Sequence, residues 1–321
     1  MSHTFATEDQ VRVRVPAKIN LALCVGAQRH DGYHELATLF QAVSLYDDIT
    51  VRASEELVCE VRGEQAHHIG PGDENLAYRA ARLLKNEYGV SEGIHLTIDK
   101  QIPVAGGMAG GSADAAGALL ACSRFWDVDA SLEDLMALGS RLGADVPFPL
   151  MGGCAVGLGR GETLTPALSR GTFHWVLALS STQLSTPEVF QRFDELTGHH
   201  PPPTTPEIPR ELMMALTTGE TKRVGAQLIN DLHEASCSLA PTLPTTIRAG
   251  VELGCHGAII SGSGPTVAFL VDSEQEAQHL GELLTSLEVA QRTYHAVGPV
   301  PGATVIDDHR PHGHLMDPVP A

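Results

Sequence analysis

The chain has 321 residues, of which 43 % are apolar and 19 % charged, and its formal net charge is −18. This is the composition of a soluble globular protein long enough for two domains sharing a cleft, or for one large domain. It excludes general binding to nucleic acid or to an anionic membrane, since there is no basic surplus to release counterions. The six cysteines (Cys24, Cys59, Cys122, Cys154, Cys237, Cys255) are scattered without a C-x-x-C pair, a spacing that predicts reduced thiols. The start lacks the basic and apolar regions of a signal peptide, and no apolar run reaches spanning length, so the expected location is cytoplasmic.

Residues 11–26, VRVRVPAKINLALCVG, read as a strand. With period two, Ala17, Ile19, Leu21, Leu23 and Val25 share one face, and Lys18, Asn20, Ala22 and Cys24 the other. Lys18 and Asn20 therefore project together, either onto a solvated sheet face or into a site. The Asp31-Gly32 pair marks a turn, after which runs 35–45 and 48–53 read as two strands. Tyr33 and His34, beside that turn, could stack on a flat ligand or simply pack. LVCEVRG is a third strand, and a helix with Leu76, Ala80, Leu83 and Leu84 on one side stops at Gly89.

GIHLTIDKQIP alternates as a half-buried strand and runs into PVAGGMAGGSADAAGALLA, residues 103–121. Glycine permits positive φ and close ligand approach, and Ser112 is a suitable N-cap for the helix that follows. Free N–H groups at a helix start attract phosphate. The stretch is either a flexible turn or a phosphate cradle; it is neither a Walker A loop nor G-x-G-x-x-G. The next helix has a capping box in Ser131 and Asp134 and should end near Gly143. Asp145 follows in a turn whose Pro147 should push Val146 into extended conformation.

A glycine-rich strand and turn at 152–166 leads to a strand at FHWVLALSS. A short helix follows with Thr186 as N-cap and Pro187 at N1. Helical patterns cover 210–235 and 244–253, GAIISGSGPTVAFLVD reads as a hairpin, and an amphipathic helix and a last strand, RTYHAVGP, complete the chain. No internal repeat is present. His67-His68, His199-His200 and the tail histidines His309, His312 and His314 lack metal-ligand spacing and read as solvated loops.

A Lys/Asn pair, a glycine anion loop and an Asp before a proline are parts that phosphoryl transfer needs. Residues 103–116 resemble the P-x-x-x-G-[LM]-x-[GS]-S-[SA] phosphate loop of the GHMP kinases. The likeness extends to PAKINLAL (16–23), DGYH (31–34), LGADVPF (142–148) and SGSGPTVAFL (261–270), and covers about Val13 to Pro301. It points to members whose alcohol substrate carries a cytidine diphosphate group. The resemblance implies an α+β fold of two domains, an N-terminal one like domain 2 of ribosomal protein S5 over 1–163 and a ferredoxin-like one over 164–306. Residues 307–321, polar and proline-punctuated, read as a disordered tail.

It further implies ATP, with Mg²⁺, held on Pro103, Val104, Ala105, Gly106, Gly107, Met108, Ala109, Gly110, Gly111 and Ser112. Asp145 becomes the base facing the substrate hydroxyl, Lys18 its cationic neighbour and Asn20 a substrate positioner. Tyr33 and Phe190 would sandwich the cytosine, His34 would bond its edge, and Thr186 would lie nearby. The Ser261–Gly264 turn resembles the third motif of the family, and the protein is expected as a monomer or homodimer. Met108 and Ala109 stand where Leu and Gly are frequent, Asp114 adds a charge near the phosphates, and His233 follows Asn230-Asp231-Leu232 where an acid is common. The rivals are a GHMP kinase for homoserine or a mevalonate-type alcohol, which needs no pocket for a base, and a non-catalytic nucleotide-binding module.

Overall fold

A computed structural model describes residues 9–198 and 202–309. The chain enters as β1 (Gln10–Gln28) and returns as β2 (His34–Ser54). The runs expected as two strands are one, because β1 pairs with β2 along nearly its whole length and carries it across Asp47-Asp48. Next come β3 (Val58–Arg62), α1 (Leu76–Tyr88), β4 (Gly93–Asp99), α2 (Gly110–Phe125), α3 (Leu132–Ser140), α4 (Pro147–Met151), β5 (Cys154–Gly159) and β6 (Thr163–Pro166). The second half holds β7 (Phe173–Leu179), α5 (Thr186–Thr197), α6 (Arg210–Thr218), α7 (Thr221–Gly225), β8 (Ile229–Asn230), α8 (His233–Leu239) and α9 (Leu243–Glu252). It ends with β9 (Gly257–Ile260), β10 (Val267–Val271), α10 (Glu274–Ser286), β11 (Arg292–Gly298) and β12 (Thr304–His309).

The first sheet runs β12-β1-β2-β4-β3, with β5 on β2, β6 on β5 and β8 on β1. Helix α2 lies across it and is apolar nearly all round, as a core helix must be. Its approach is close: a Cβ on Gly117 would stand 2.6 Å from Ile49 Cγ1. The second sheet runs β11-β7-β10-β9, all antiparallel. With helices between its first and second strands and between its third and fourth, it is ferredoxin-like. Trp175 Nε1 on β7 donates to Gln41 Oε1 on β2 at 2.8 Å, so one buried bond joins the two sheets. No described helix is long and apolar enough to cross a membrane.

Several local expectations change. The alternation along β1 breaks at Leu21: Asn20 pairs with Phe40 but Ala22 with Leu39, one residue being bulged. Leu23 and Val25 thereby join the face of Lys18 and Asn20, while Ala22 and Cys24 cross to the other. Helix α2 begins two residues before Ser112, with Ala109 at the N-cap position. Val146 is helical rather than extended, because Pro147 opens α4 at N1 and Val146 serves as its cap. Thr186 is the first helical residue after Ser185, not the cap.

The helical pattern at 210–235 is interrupted by β8, which adds in parallel to β1. The stretch from 307, expected as tail, is a strand as far as His309, because Asp307, Asp308 and His309 pair with the edge of β1. The rest of that tail, His312 and His314 included, and the His199-His200 pair lie outside the described residues.

Candidate active site

The site grows from β1. Lys18 and Asn20, two apart and before the bulge, point the same way and are 4 % and 2 % exposed, so this face is no solvated one. Lys18 Nζ donates to Asn20 Oδ1 at 2.6 Å, and Asn20 Nδ2 to Thr38 Oγ1 at 2.8 Å. Thr38 passes the chain on to the Ala22 carbonyl at 2.8 Å. The Phe40 ring lies 5.4 Å from the ammonium. Burial lowers the Lys18 pKa, and the negative charge of Asp145, from the turn before α4, opposes that shift. A desolvated cation beside a carboxylate is thus built into the floor.

The glycine loop forms the wall above. Its left-handed residues alternate: Ala105 (φ 54°), Gly107 (φ 74°) and Ala109 (φ 57°). Alternating hand turns successive N–H groups to one side, making an anion-binding concavity. Two of the three are alanines, which pay about 1–2 kcal/mol each for that conformation. The loop is held by its surroundings. The Lys18 N–H reaches the Met108 carbonyl at 3.3 Å, and Ser261 Oγ donates to the Gly107 carbonyl at 2.9 Å. At Gly107 a Cβ would stand 2.2 Å from the Ser261 carbonyl oxygen, so glycine is required by contact as well as by φ. Because Ala109 has no side-chain acceptor, the first N–H groups of α2 keep no side-chain cap.

The turn after β9 closes the third side. A Cβ placed on Gly262 would lie 3.2 Å from the Gly107 carbonyl oxygen, 3.4 Å from Lys18 Nζ and 3.5 Å from Asn20 Oδ1. Strand β1, the glycine loop and the Ser261–Gly264 turn therefore converge at one point. Asn230, whose Nδ2 donates to the Ile260 and Gly262 carbonyls at 2.8 Å each, fixes the turn from behind. Thr186 Oγ1 and Ser263 Oγ are 2.9 Å apart, which ties the start of α5 to the same turn.

At the far end of β1, Leu23 and Val25 pack against Val189 and Phe193 of α5. That seats Phe190 against His34, with ring centroids 5.4 Å apart and planes at 23°. His34 Nδ1 donates to the Gly26 carbonyl at 2.8 Å, so that nitrogen carries the proton. His34 Nε2 lies 3.1 Å from Asp194 Oδ1. Tyr33 is not brought onto Phe190: it is 57 % exposed and carries the Arg160 guanidinium 5.3 Å above its ring.

Sequence reasoning missed Thr38 and Phe40 as supports of the site and gave Asn230 no role, since a residue inside a strand or turn, polar or aromatic, carries no signal of its partner. It also missed the destination of Asp114, which faces Lys100 Nζ at 2.9 Å and not the loop's open side. Among the described residues one group could hold a metal ion, His256, Asp272 and Glu276 at the start of α10, away from the loop.

Models of the GHMP kinases N terminal domain and the GHMP kinases C terminal domain match residues 75–153 and 225–286. A 4-diphosphocytidyl-2-C-methyl-D-erythritol kinase from Rhodococcus jostii (strain RHA1) is 49 % identical over 95 % of this chain and 97 % of its own. The crystal structure of a 4-(cytidine 5'-diphospho)-2C-methyl-D-erythritol kinase is 33 % identical. It has a TM-score of 0.73, covering 89 % of this chain and 98 % of its own. A mevalonate kinase from L. major, 14 % identical with a TM-score of 0.73 over 94 % and 99 %, shares the fold.

Proposed function

The chain belongs to the 4-diphosphocytidyl-2-C-methyl-D-erythritol kinases within the GHMP kinases, and from that premise we propose how its own residues carry the reaction. The enzyme transfers the γ-phosphoryl group of ATP to the 2-hydroxyl of 4-diphosphocytidyl-2-C-methyl-D-erythritol, giving the 2-phosphate and ADP, in the non-mevalonate route to isoprenoid precursors. Phosphoryl transfer asks a protein chiefly for position and for charge where charge develops.

Residues 103–112 cradle the ATP phosphates with backbone N–H groups. Asp145 accepts the proton of the attacking hydroxyl while its oxygen bonds to the γ-phosphorus and the bond to the β-phosphate oxygen breaks. Lys18, whose ammonium feels the negative charge of Asp145, balances the negative charge of the transition state. Asn20 holds the erythritol portion, its amide fixed by Thr38. Mg²⁺ bound to the ATP phosphates would offset their charge; Asp114, the sole acidic residue of α2, is turned to Lys100.

Phe190 takes one face of the cytosine, and Tyr33, exposed and under Arg160 without substrate, swings across to take the other. His34, with its Nδ1 proton committed to Gly26, bonds the ring edge through Nε2 once that atom gives up its contact with Asp194, and Thr186 lies alongside. The observation that carries this reading is the convergence on Gly262 of the Lys18 ammonium, the Asn20 amide and the glycine loop within 3.5 Å of one point. The test is ADP release from ATP with a panel of alcohols: turnover with the cytidine-diphosphate substrate and none with homoserine or mevalonate is expected. Equal turnover with a small alcohol would defeat the assignment of the base pocket.

A further inference from the structure

Beneath the glycine loop, outside the reacting groups, lies a buried ionic cluster. Asp47 is 0 %, Lys100 7 % and Asp114 2 % exposed. Asp47 and Asp48 are adjacent in β2 and face opposite ways. Asp48 meets Arg12 and Arg14 at the sheet surface, whereas Asp47 points inward. One oxygen of Asp47, Oδ1, accepts the N–H groups of Gln101 at 2.6 Å and Ile102 at 2.8 Å, the two residues before the loop's first residue, Pro103. The other, Oδ2, accepts Lys100 Nζ at 2.5 Å. The same ammonium reaches Asp114 Oδ2 on α2 at 2.9 Å. A Cβ on Gly110 would stand 2.9 Å from that nitrogen, so the ammonium sits directly under the start of α2.

Both ends of the loop therefore hang on one carboxylate and one ammonium. Between them lie Ala105 and Ala109 in left-handed conformation, which persists only where the surroundings over-determine it. Burial tends to lower the Lys100 pKa, but the charges of Asp114 and Asp47 outweigh it and raise the value. Burial raises the Asp114 pKa, with Lys100 opposing and Asp47 adding to the rise. Asp47 is enclosed and can act on a ligand only through what it holds.

We propose that Asp47, through Lys100 and the N–H groups of Gln101 and Ile102, is a positioning residue that keeps the glycine loop in the shape that receives the ATP phosphates. The inference rests on the reading that this loop holds ATP. Asp47→Ala frees the strand end and one side of the ammonium together; Asp47→Asn keeps an acceptor for the two N–H groups and loses the negative charge that faces Lys100.

The test is steady-state kinetics in both substrates with calorimetric ATP binding, on full-length variants whose far-UV circular dichroism matches wild type. Asp47→Ala is expected to raise KM for ATP about tenfold or more while KM for the cytidine-diphosphate substrate stays within about twofold, since displacement of the loop touches one substrate only. Asp47→Asn is expected to fall between Asp47→Ala and wild type. Wild-type KM for ATP in either folded variant, or a parallel rise in both KM values, overturns the proposal. If Asp47→Ala does not fold, the near-isosteric Asp47→Asn decides by the same criterion. Wild-type enzyme that binds no ATP would instead refute the phosphate-loop reading itself.

Discussion

Lys18→Met separates catalytic from structural worth at a single residue. The side chain is 4 % exposed, its ammonium has Asn20 Oδ1 as hydrogen-bond partner, and burial lowers its pKa. A lowered folded pKa means that the charged form is disfavoured by folding: the penalty is fully present below the folded value and fades as pH rises from there to the ordinary lysine range near about 10.4. Methionine fills a similar volume without a charge. Against the relief, the buried Asn20 carbonyl loses its donor, a cost of about 1–3 kcal/mol, while a buried ion's effective penalty is of the order of several kcal/mol. The expected net is a gain of about 0–2 kcal/mol at pH 7, with turnover down by roughly 10²–10³ as for removal of one transition-state donor. Thermal melts at pH 7 and pH 10 with steady-state kinetics measure both, and the variant's advantage should shrink at the higher pH. Destabilisation beyond about 2 kcal/mol, or a kcat within about tenfold of wild type, would refute the reasoning.

Asp145→Asn is expected to lower kcat by about 10³ or more while ATP still binds, because the base is lost and the loop is not; calorimetry and single-turnover assays report the two separately. Phe190→Ala, and to a lesser degree His34→Ala, should raise KM for the cytidine-diphosphate substrate about tenfold with kcat little changed, from stacking worth about 1–3 kcal/mol per base. Gly107→Ala must open the contact with Ser261 and adopt positive φ, so weaker ATP binding and a loss of about 2 kcal/mol or more in a denaturant titration are expected. The raised folded pKa of Asp114, due first to burial, makes its contribution greatest below the ordinary carboxylate range and lost as pH rises through the folded value. Asp114→Asn should therefore gain stability relative to wild type as pH rises above the ordinary carboxylate range, read from paired melts across that range.

The motif residues were legible as chemistry but not as geometry. Period-two alternation predicted that Lys18 and Asn20 share a face, and they do; the bulge at Leu21, which turns Leu23 and Val25 onto that face under α5, has no mark in LALCVG. Glycine content announced a loop of unusual backbone, yet two of its three left-handed residues are Ala105 and Ala109, and Gly107 is needed equally for its contact with Ser261. Ser112 looked like the cap because capping preference is local, whereas α2 begins at Gly110, where Lys100 and Asp114 hold it from below.

The sequence by itself determined the strands and helices whose periodicity is long, the glycine loop as the phosphate candidate, and the residue types that can move a proton and balance a charge. It carried these because local sterics and hydrogen-bonding capacity belong to each residue and its near neighbours. Only the tertiary structure decided that β1 and the loop meet the Ser261–Gly264 turn, within 3.5 Å of where a Cβ on Gly262 would stand. It also decided that Asp47 faces Lys100 while Asp48 faces Arg12 and Arg14, and that β8 and β12 return to the first sheet. Those outcomes depend on contacts between residues far apart in the chain, whose energies come from the burial and pairing that the whole fold provides.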